Sequence, residues 1–334
     1  MVFLAVLRRL PLGANTPGCG FTRPASLAGL RCADSRRLKE AYRRRGRCSV
    51  AAMAASKWVE EDKRRLLHVV YRVGDMDATI DYYKKCFGMQ LLRYRDIKEE
   101  KYTNAFLGYG NERTHFVTEL TYNYGVDSYD LGEGFGHFGI QLPDVYKAVG
   151  DIKTAGGKVS RDAGPVKGGT TVIAFVEDPT GYKWELIQKP EKRDDPMCQV
   201  MLRVGDLEKS IKYYKEALGM QLLRTRENPE YKYTLAFMGY GPEDSSPVME
   251  LTYNWGKESY TKGNAYGQIA VSTKDVYKTA EDIKAAGWEL TREAGPVPGI
   301  GTKICATVDP DGWKTVFVDE EDFLKELVEA ESQA

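Results

Sequence analysis

The sequence predicts an α+β protein of two tandem domains, each holding two modules of one strand, one helix and three strands, so four βαβββ modules in all. Three observations predict it. The stretch Glu119-Leu-Thr-Tyr-Asn123 returns unchanged as Glu250-Leu-Thr-Tyr-Asn254, an offset of 131 positions (250 − 119). The same offset relates Arg72-Val-Gly-Asp75 to Arg203-Val-Gly-Asp206, Gly88-Met-Gln-Leu-Leu-Arg93 to Gly219-Met-Gln-Leu-Leu-Arg224, and Ala163-Gly-Pro-Val166 to Ala294-Gly-Pro-Val297. A repeat of this period is a duplicated domain, because solenoid units are far shorter. Within a repeat, a β-rich run, an Asp-capped helical pattern and further short strands occur twice. Finally, 334 residues with 42% hydrophobic content suffice for two ordinary cores.

The elements follow in order. Residues 1–50 carry ten arginines and one lysine against only Asp34 and Glu40, with no long apolar run. An Arg-rich, acid-poor start reads as an organelle transit peptide over residues 1–55; the alternative is a basic tail with translation beginning at Met53. Leu67–Val73 reads as a strand, Asp75 as a helix N-cap, and Ile80, Tyr83 and Phe87 as one helix face that Gly88 stops. Strands are expected at Gln90–Tyr94, Tyr102–Tyr109 and His115–Tyr122. In the second module His137–Leu142 is a strand, Asp144 a cap, and Val145–Ala155 a helix ended by Gly156-Gly157. Val172–Val176 and Lys183–Gln188 are strands about the turn Asp178-Pro-Thr-Gly181. The expected boundaries are a first domain at 65–190, a linker at 191–196, a second domain at 197–320 and an acidic helical tail at 321–334. The 48 basic and 48 acidic residues cancel, so nothing in the bulk charge points to nucleic acid or a membrane surface. Six cysteines without a Cys-x-x-Cys pair fit a reducing compartment.

Few residues are equipped for chemistry. Of the three histidines, His115 has no partner at a telling spacing, whereas His68 and His137 each begin the first strand of a module. Glu119 and Glu185 each lie in the last strand of a module. If the module strands curl into a half-open barrel, these four meet on one concave face, a mixed nitrogen and oxygen shell suited to a first-row divalent ion. Arg72 and Asn123 each stand four residues past a candidate ligand and so return to the same strand face. The Pro165-Val-Lys-Gly-Gly-Thr170 loop offers backbone N–H groups and Lys167 to an anion, or is a simple glycine turn. No Gly-x-Gly-x-x-Gly opens a helix after a strand, so the glycine-rich turns are not nucleotide fingerprints.

Leu66-Leu-His68, Arg72-Val-Gly-Asp75, Tyr102-Thr-Asn-Ala-Phe-Leu-Gly-Tyr-Gly110, Glu119-Leu-Thr-Tyr-Asn123, Phe135-Gly-His137 and the run from Gly164 to Pro179 resemble glyoxalase I, lactoylglutathione lyase. In the second repeat Glu227-Asn-Pro-Glu-Tyr-Lys-Tyr233 and Glu250–Trp255 extend the resemblance, which covers about residues 65–325. The fused form is similar to plant members. The resemblance implies the paired βαβββ fold of the vicinal oxygen chelate superfamily and one divalent metal, Ni2+ or Zn2+. It also implies glutathione as cosubstrate and conversion of the methylglyoxal–glutathione hemithioacetal to S-lactoylglutathione, which detoxifies methylglyoxal. The alternatives are a glutathione-binding or other small-ligand module without chemistry, or an epimerase of the same fold. A monomer with an internal pseudo-dimer is expected, in the chloroplast, with mitochondrion or cytoplasm as alternatives.

The resemblance also assigns ligands. Its four ligand positions fall on His68, Glu119, His137 and Glu185 in the first repeat, and on Gln199, Glu250, Gln268 and Val316 in the second. In the family a site takes two ligands from each of two paired domains. The expected working site is therefore Gln199 and Glu250 with His137 and Glu185, with Glu185 and Glu250 catalytic. His68 and Glu119 with Gln268 and Val316 form a degenerate site lacking a carboxylate. The alternative is the first-repeat quartet, assembled through homodimerisation. Arg203 and Asn254 are expected to grip glutathione, as Arg72 and Asn123 would in the other site, with Arg161 and Lys167 near the glycine-end carboxylate. Glu133 departs from the glutathione-binding arginine that some members hold there.

Overall fold

The computed structural model describes residues 57–167, 169–298 and 301–333; the transit-peptide reading falls on residues outside them. The first module comprises β1 (Leu66–Arg72), β2 (Gln90–Ile97), β3 (Tyr102–Gly108) and β4 (Val117–Asn123). The second comprises β5 (Phe135–Leu142), β6 (Lys158–Pro165), β7 (Val172–Glu177) and β8 (Lys183–Gln188). The third comprises β9 (Met197–Arg203), β10 (Gln221–Asn228), β11 (Tyr233–Gly239) and β12 (Val248–Asn254). The fourth comprises β13 (Tyr266–Thr273), β14 (Leu290–Pro296), β15 (Lys303–Val308) and β16 (Lys314–Asp319).

A helix follows the first strand of every module. Each starts at an aspartate, Asp75, Asp144, Asp206 or Asp275, whose carboxylate accepts a backbone N–H from the first turn. The first helix, Met76–Tyr82, runs into a π-type turn over Tyr83–Phe87. Gly88 closes it at φ 70°, a left-handed conformation that glycine adopts without a Cβ penalty.

Every module holds the expected three strands after its helix, and β6 and β14 are the ones to which the sequence pattern assigns no bounds. Each is an edge strand of its sheet with polar, alternately exposed residues and a proline at its end, so neither carries an apolar run. The C-terminal segment forms an acidic helix, Glu320–Gln333, that packs on the first sheet. Its Phe323 and Leu327 are buried with Leu67, Val70, Ala270, Ile304 and Val316 on one face of the first sheet.

The strand order explains the sites. One eight-stranded sheet runs β14-β15-β16-β13-β1-β4-β3-β2, the other β10-β11-β12-β9-β5-β8-β7-β6. The first module thus pairs with the fourth, and the second with the third. The seams are antiparallel first strands: Val69 opposite Ile269 in one sheet, Phe138 opposite Val200 in the other. Strand alternation sends Val69, Tyr71 and Phe138 into a shared core with Tyr182 and Trp184, where aromatic centroids lie 4.7–5.8 Å apart. It sends His68, and the other ligand-type residues of the first and last strands, to the opposite, concave faces.

Candidate metal centre

The second sheet gathers four polar side chains. Gln199 comes from β9, Glu250 from β12, His137 from β5 and Glu185 from β8. The side-chain amide nitrogen of Gln199 lies 2.9 Å from His137 Nε2, 3.0 Å from Glu185 Oε2 and 2.8 Å from Glu250 Oε2. His137 Nε2 is 3.1 Å from Glu185 and 3.8 Å from Glu250. One donor atom from each of His137, Glu185 and Glu250 falls within 4.8 Å of the others. The amide NH2 group sits between two carboxylates and an imidazole, a place whose electrostatics suit a cation.

The charges respond to burial. His137 and Glu250 are buried, and Glu185 is half-buried. Burial, reinforced by the Glu185 charge, pushes Glu250 up to about 7 against the pull of His137. Burial disfavours a charged His137, yet the hydrogen bond to Glu185 and the charges of Glu185 and Glu250 outweigh it and raise its pKa. Phe175 packs its ring against His137, with centroids 5.4 Å apart.

The first sheet holds the counterpart. His68 Nε2 lies 3.3 Å from Glu119 Oε2, and both side chains are 1% exposed. Gln268 is fully buried, and neither polar atom of its amide has a hydrogen-bond partner among the described residues. Val316 places methyl groups at the fourth position. The Phe323 ring of the C-terminal helix lies 6.2 Å from the His68 ring and covers it. Burial lifts Glu119 to about 7 and, with Arg93, Arg65 and Arg95, depresses His68 well below the usual imidazole range.

The concave face expected to unite His68, Glu119, His137 and Glu185 does not exist within this chain. His68 and Glu119 lie in one sheet, His137 and Glu185 in the other, because each module joins a module of the other repeat through its first strand.

The remaining candidates are held by local partners. Arg203 donates to the carbonyls of Glu133 at 2.7 Å and Phe135 at 2.9 Å, and Asn254 donates to the Tyr260 hydroxyl at 2.8 Å. In the first sheet Arg72 donates to the Asn264 carbonyl and Asn123 to the Tyr129 hydroxyl at 2.8 Å. Arg161 caps the Pro165 carbonyl at 3.0 Å. Lys167 is exposed, ion-paired with Glu230 of the third module and 5.3 Å from the Tyr231 ring centroid. Glu133 is ion-paired with Lys257 at 2.8 Å, a cation that no motif singled out. His115 is half-buried beside Thr114, in the loop before β4.

The sequence profile of the Glyoxalase/Bleomycin resistance protein/Dioxygenase superfamily matches residues 65–186 and 197–317. The chain is 69% identical over 270 residues to an Arabidopsis thaliana protein named "Probable lactoylglutathione lyase, chloroplastic", covering 81% of this chain and 77% of that protein. It is 60% identical over 275 residues to the "Lactoylglutathione lyase" of Oryza sativa subsp. japonica, covering 81% of this chain and 94% of that protein. The crystal structure of glyoxalase I from Zea mays superposes with a TM-score of 0.80 at 60% identity, covering 82% of this chain and 98% of that one.

Proposed function

We propose that this chain, which belongs to the Glyoxalase/Bleomycin resistance protein/Dioxygenase superfamily, does its chemistry in the cleft of the second sheet, with Gln199, Glu250, His137 and Glu185 as its centre. Its activity is that of a lactoylglutathione lyase, the isomerisation of the methylglyoxal–glutathione hemithioacetal to S-lactoylglutathione, and its compartment is the chloroplast. The observation that carries the choice of cleft is the convergence of one imidazole and two carboxylates on the Gln199 amide.

These donors fit a divalent ion. One nitrogen donor with an amide and two carboxylates is a mixed shell of the kind nickel or zinc accepts, and we assign one ion per chain. When bound, the ion supplies Lewis acidity for the negative charge that develops on the substrate oxygens.

The protein groups do the rest. Glu185, the most open of the four, takes the proton from the carbon next to the carbonyl and returns it to the neighbouring carbon. Glu250 faces it from the other half of the sheet and handles the hydroxyl proton. A positioned general base contributes about 10²–10⁴-fold. His137 and Gln199 fix the geometry. Arg203 and Asn254 stand on the same strand faces as Gln199 and Glu250, four residues on, and grip the glutathione moiety. Lys167 and Arg161 meet its glycine-end carboxylate once Lys167 exchanges Glu230 for substrate. The first-sheet cleft, without a carboxylate at Val316 and closed by Phe323, is assigned no turnover.

The test follows S-lactoylglutathione formation by absorbance, with and without a chelator. Chelator-sensitive product is expected; its absence would overturn the assignment.

A further inference from the structure

The residue that leaves room for Gln199 is a glycine on the neighbouring strand. Gly139 stands on β5, two residues past His137 and on the same face. It pairs with Gln199 of β9 on one side and with Glu185 of β8 on the other. A Cβ at Gly139 would lie 2.5 Å from Cγ of Gln199, 3.0 Å from its Cδ and 3.3 Å from Sγ of Cys198. Separations this short are below carbon contact distance, and the nearest atom is in the middle of the glutamine side chain rather than at its tip. The glutamine therefore lies down across β5, over the space a Cβ would occupy, and so brings its amide to His137, Glu185 and Glu250.

The other sheet holds the complementary pair. At the position equivalent to Gly139 stands Ala270, flanked by His68 and Val316. There the first ligand position is an imidazole, and a Cβ is accommodated. Glycine goes with glutamine and alanine with histidine, within one chain and at one sheet position.

We propose that Gly139 is a positioning residue for the metal centre: its missing Cβ sets the path of the Gln199 side chain and thereby the affinity of the shell for its ion. The proposal rests on Gln199 being a ligand, as assigned above. Glycine within a strand is otherwise unfavourable, and often marks a close approach of this kind.

The experiment is a double-mutant cycle on the full chain, read as apo-protein affinity for Ni2+ or Zn2+ against a competing chelating dye, with thermal melts of the apo forms. Gly139→Ala is expected to weaken the ion by about 10–100-fold, the range for groups that orient ligands. In a Gln199→His background the same change is expected to cost less than about threefold, as the His68 and Ala270 pair implies. Wild-type affinity in Gly139→Ala, or an equal loss in both backgrounds, overturns the proposal. Should Gly139→Ala alone fail to fold, Gln199→Ala/Gly139→Ala, which removes the clashing Cγ and Cδ, is expected to fold; if it does not, the clash lies elsewhere and the proposal falls. Gln199→Ala alone separates the two readings: unchanged affinity there contradicts Gln199 as a ligand, whatever Gly139 does.

Discussion

Glu119 and Glu250 occupy identical five-residue stretches in different surroundings. Glu250 meets His137, Glu185 and Gln199 in a cleft that reaches solvent through the half-buried Glu185. Glu119 meets His68 under the Phe323 ring. Both are pushed up to about 7 by burial, so a raised carboxyl does not by itself mark catalysis. Asp309 makes the same point away from either cleft. It accepts backbone N–H groups of Asp311 and Trp313 in a turn, and burial lifts it to about 7 from an ordinary 3.8. Its folded pKa lies above its unfolded one, so the folded state holds the proton longer. Its stabilising contribution is complete below about pH 4 and is lost as pH rises to about 7. Asp309→Asn keeps an acceptor for both N–H groups and cannot ionise. Relative to wild type it is expected to gain stability by on the order of 2–4 kcal/mol between pH 4 and 7, at about 1.4 kcal/mol per pKa unit. Thermal melts of both proteins across that range check it; a pH-independent difference would contradict it.

At the scale of elements, the Asp caps, the glycine stops and the repeated strands were legible because each follows from local chemistry. Asp75 and Asp144 cap their helices as expected, accepting from Ala78 N and Lys147 N, both at 2.9 Å. The edge strands β6 and β14 were not legible. Lys158-Val-Ser-Arg-Asp-Ala-Gly-Pro165 buries little of its surface, so its strand character comes from pairing with β7 and not from its side chains. The role of the last helix was hidden for a different reason. Its acidic composition gives no packing face, and Phe323 and Leu327, at helical spacing, are what it buries on the sheet. Glu326 and Glu331 then pair with Arg95 and Arg113 across the first-sheet cleft. Phe323→Ala is expected to cost about 3–5 kcal/mol of stability and to leave kcat within twofold, since the helix closes the cleft assigned no turnover. Denaturant unfolding and initial rates together check this; a large loss of kcat at unchanged stability would contradict it.

At the scale of the molecule, the pairing of modules decides everything. The repeat in the sequence shows two like halves but not which modules share a sheet, because that choice is made by the β1–β13 and β5–β9 seams between distant strands. Spacing alone puts His68, Glu119, His137 and Glu185 together, whereas the family resemblance implies the mixed arrangement; the strand orders put His68 and Glu119 in one sheet and His137 and Glu185 in the other. The consequence is a chain with two unlike clefts. One gathers Gln199, Glu250, His137 and Glu185; the other has Val316 where the first has Glu185, with the Phe323 ring beside His68.

On the proposed assignment one cleft turns over, with ligands drawn from both repeats. The most direct measurement is kcat for Glu185→Gln and Glu119→Gln side by side, each with its thermal melt. A loss of at least about 10²-fold is expected for Glu185→Gln and a kcat within twofold of wild type for Glu119→Gln. An equal loss in both, at unchanged stability, would contradict it.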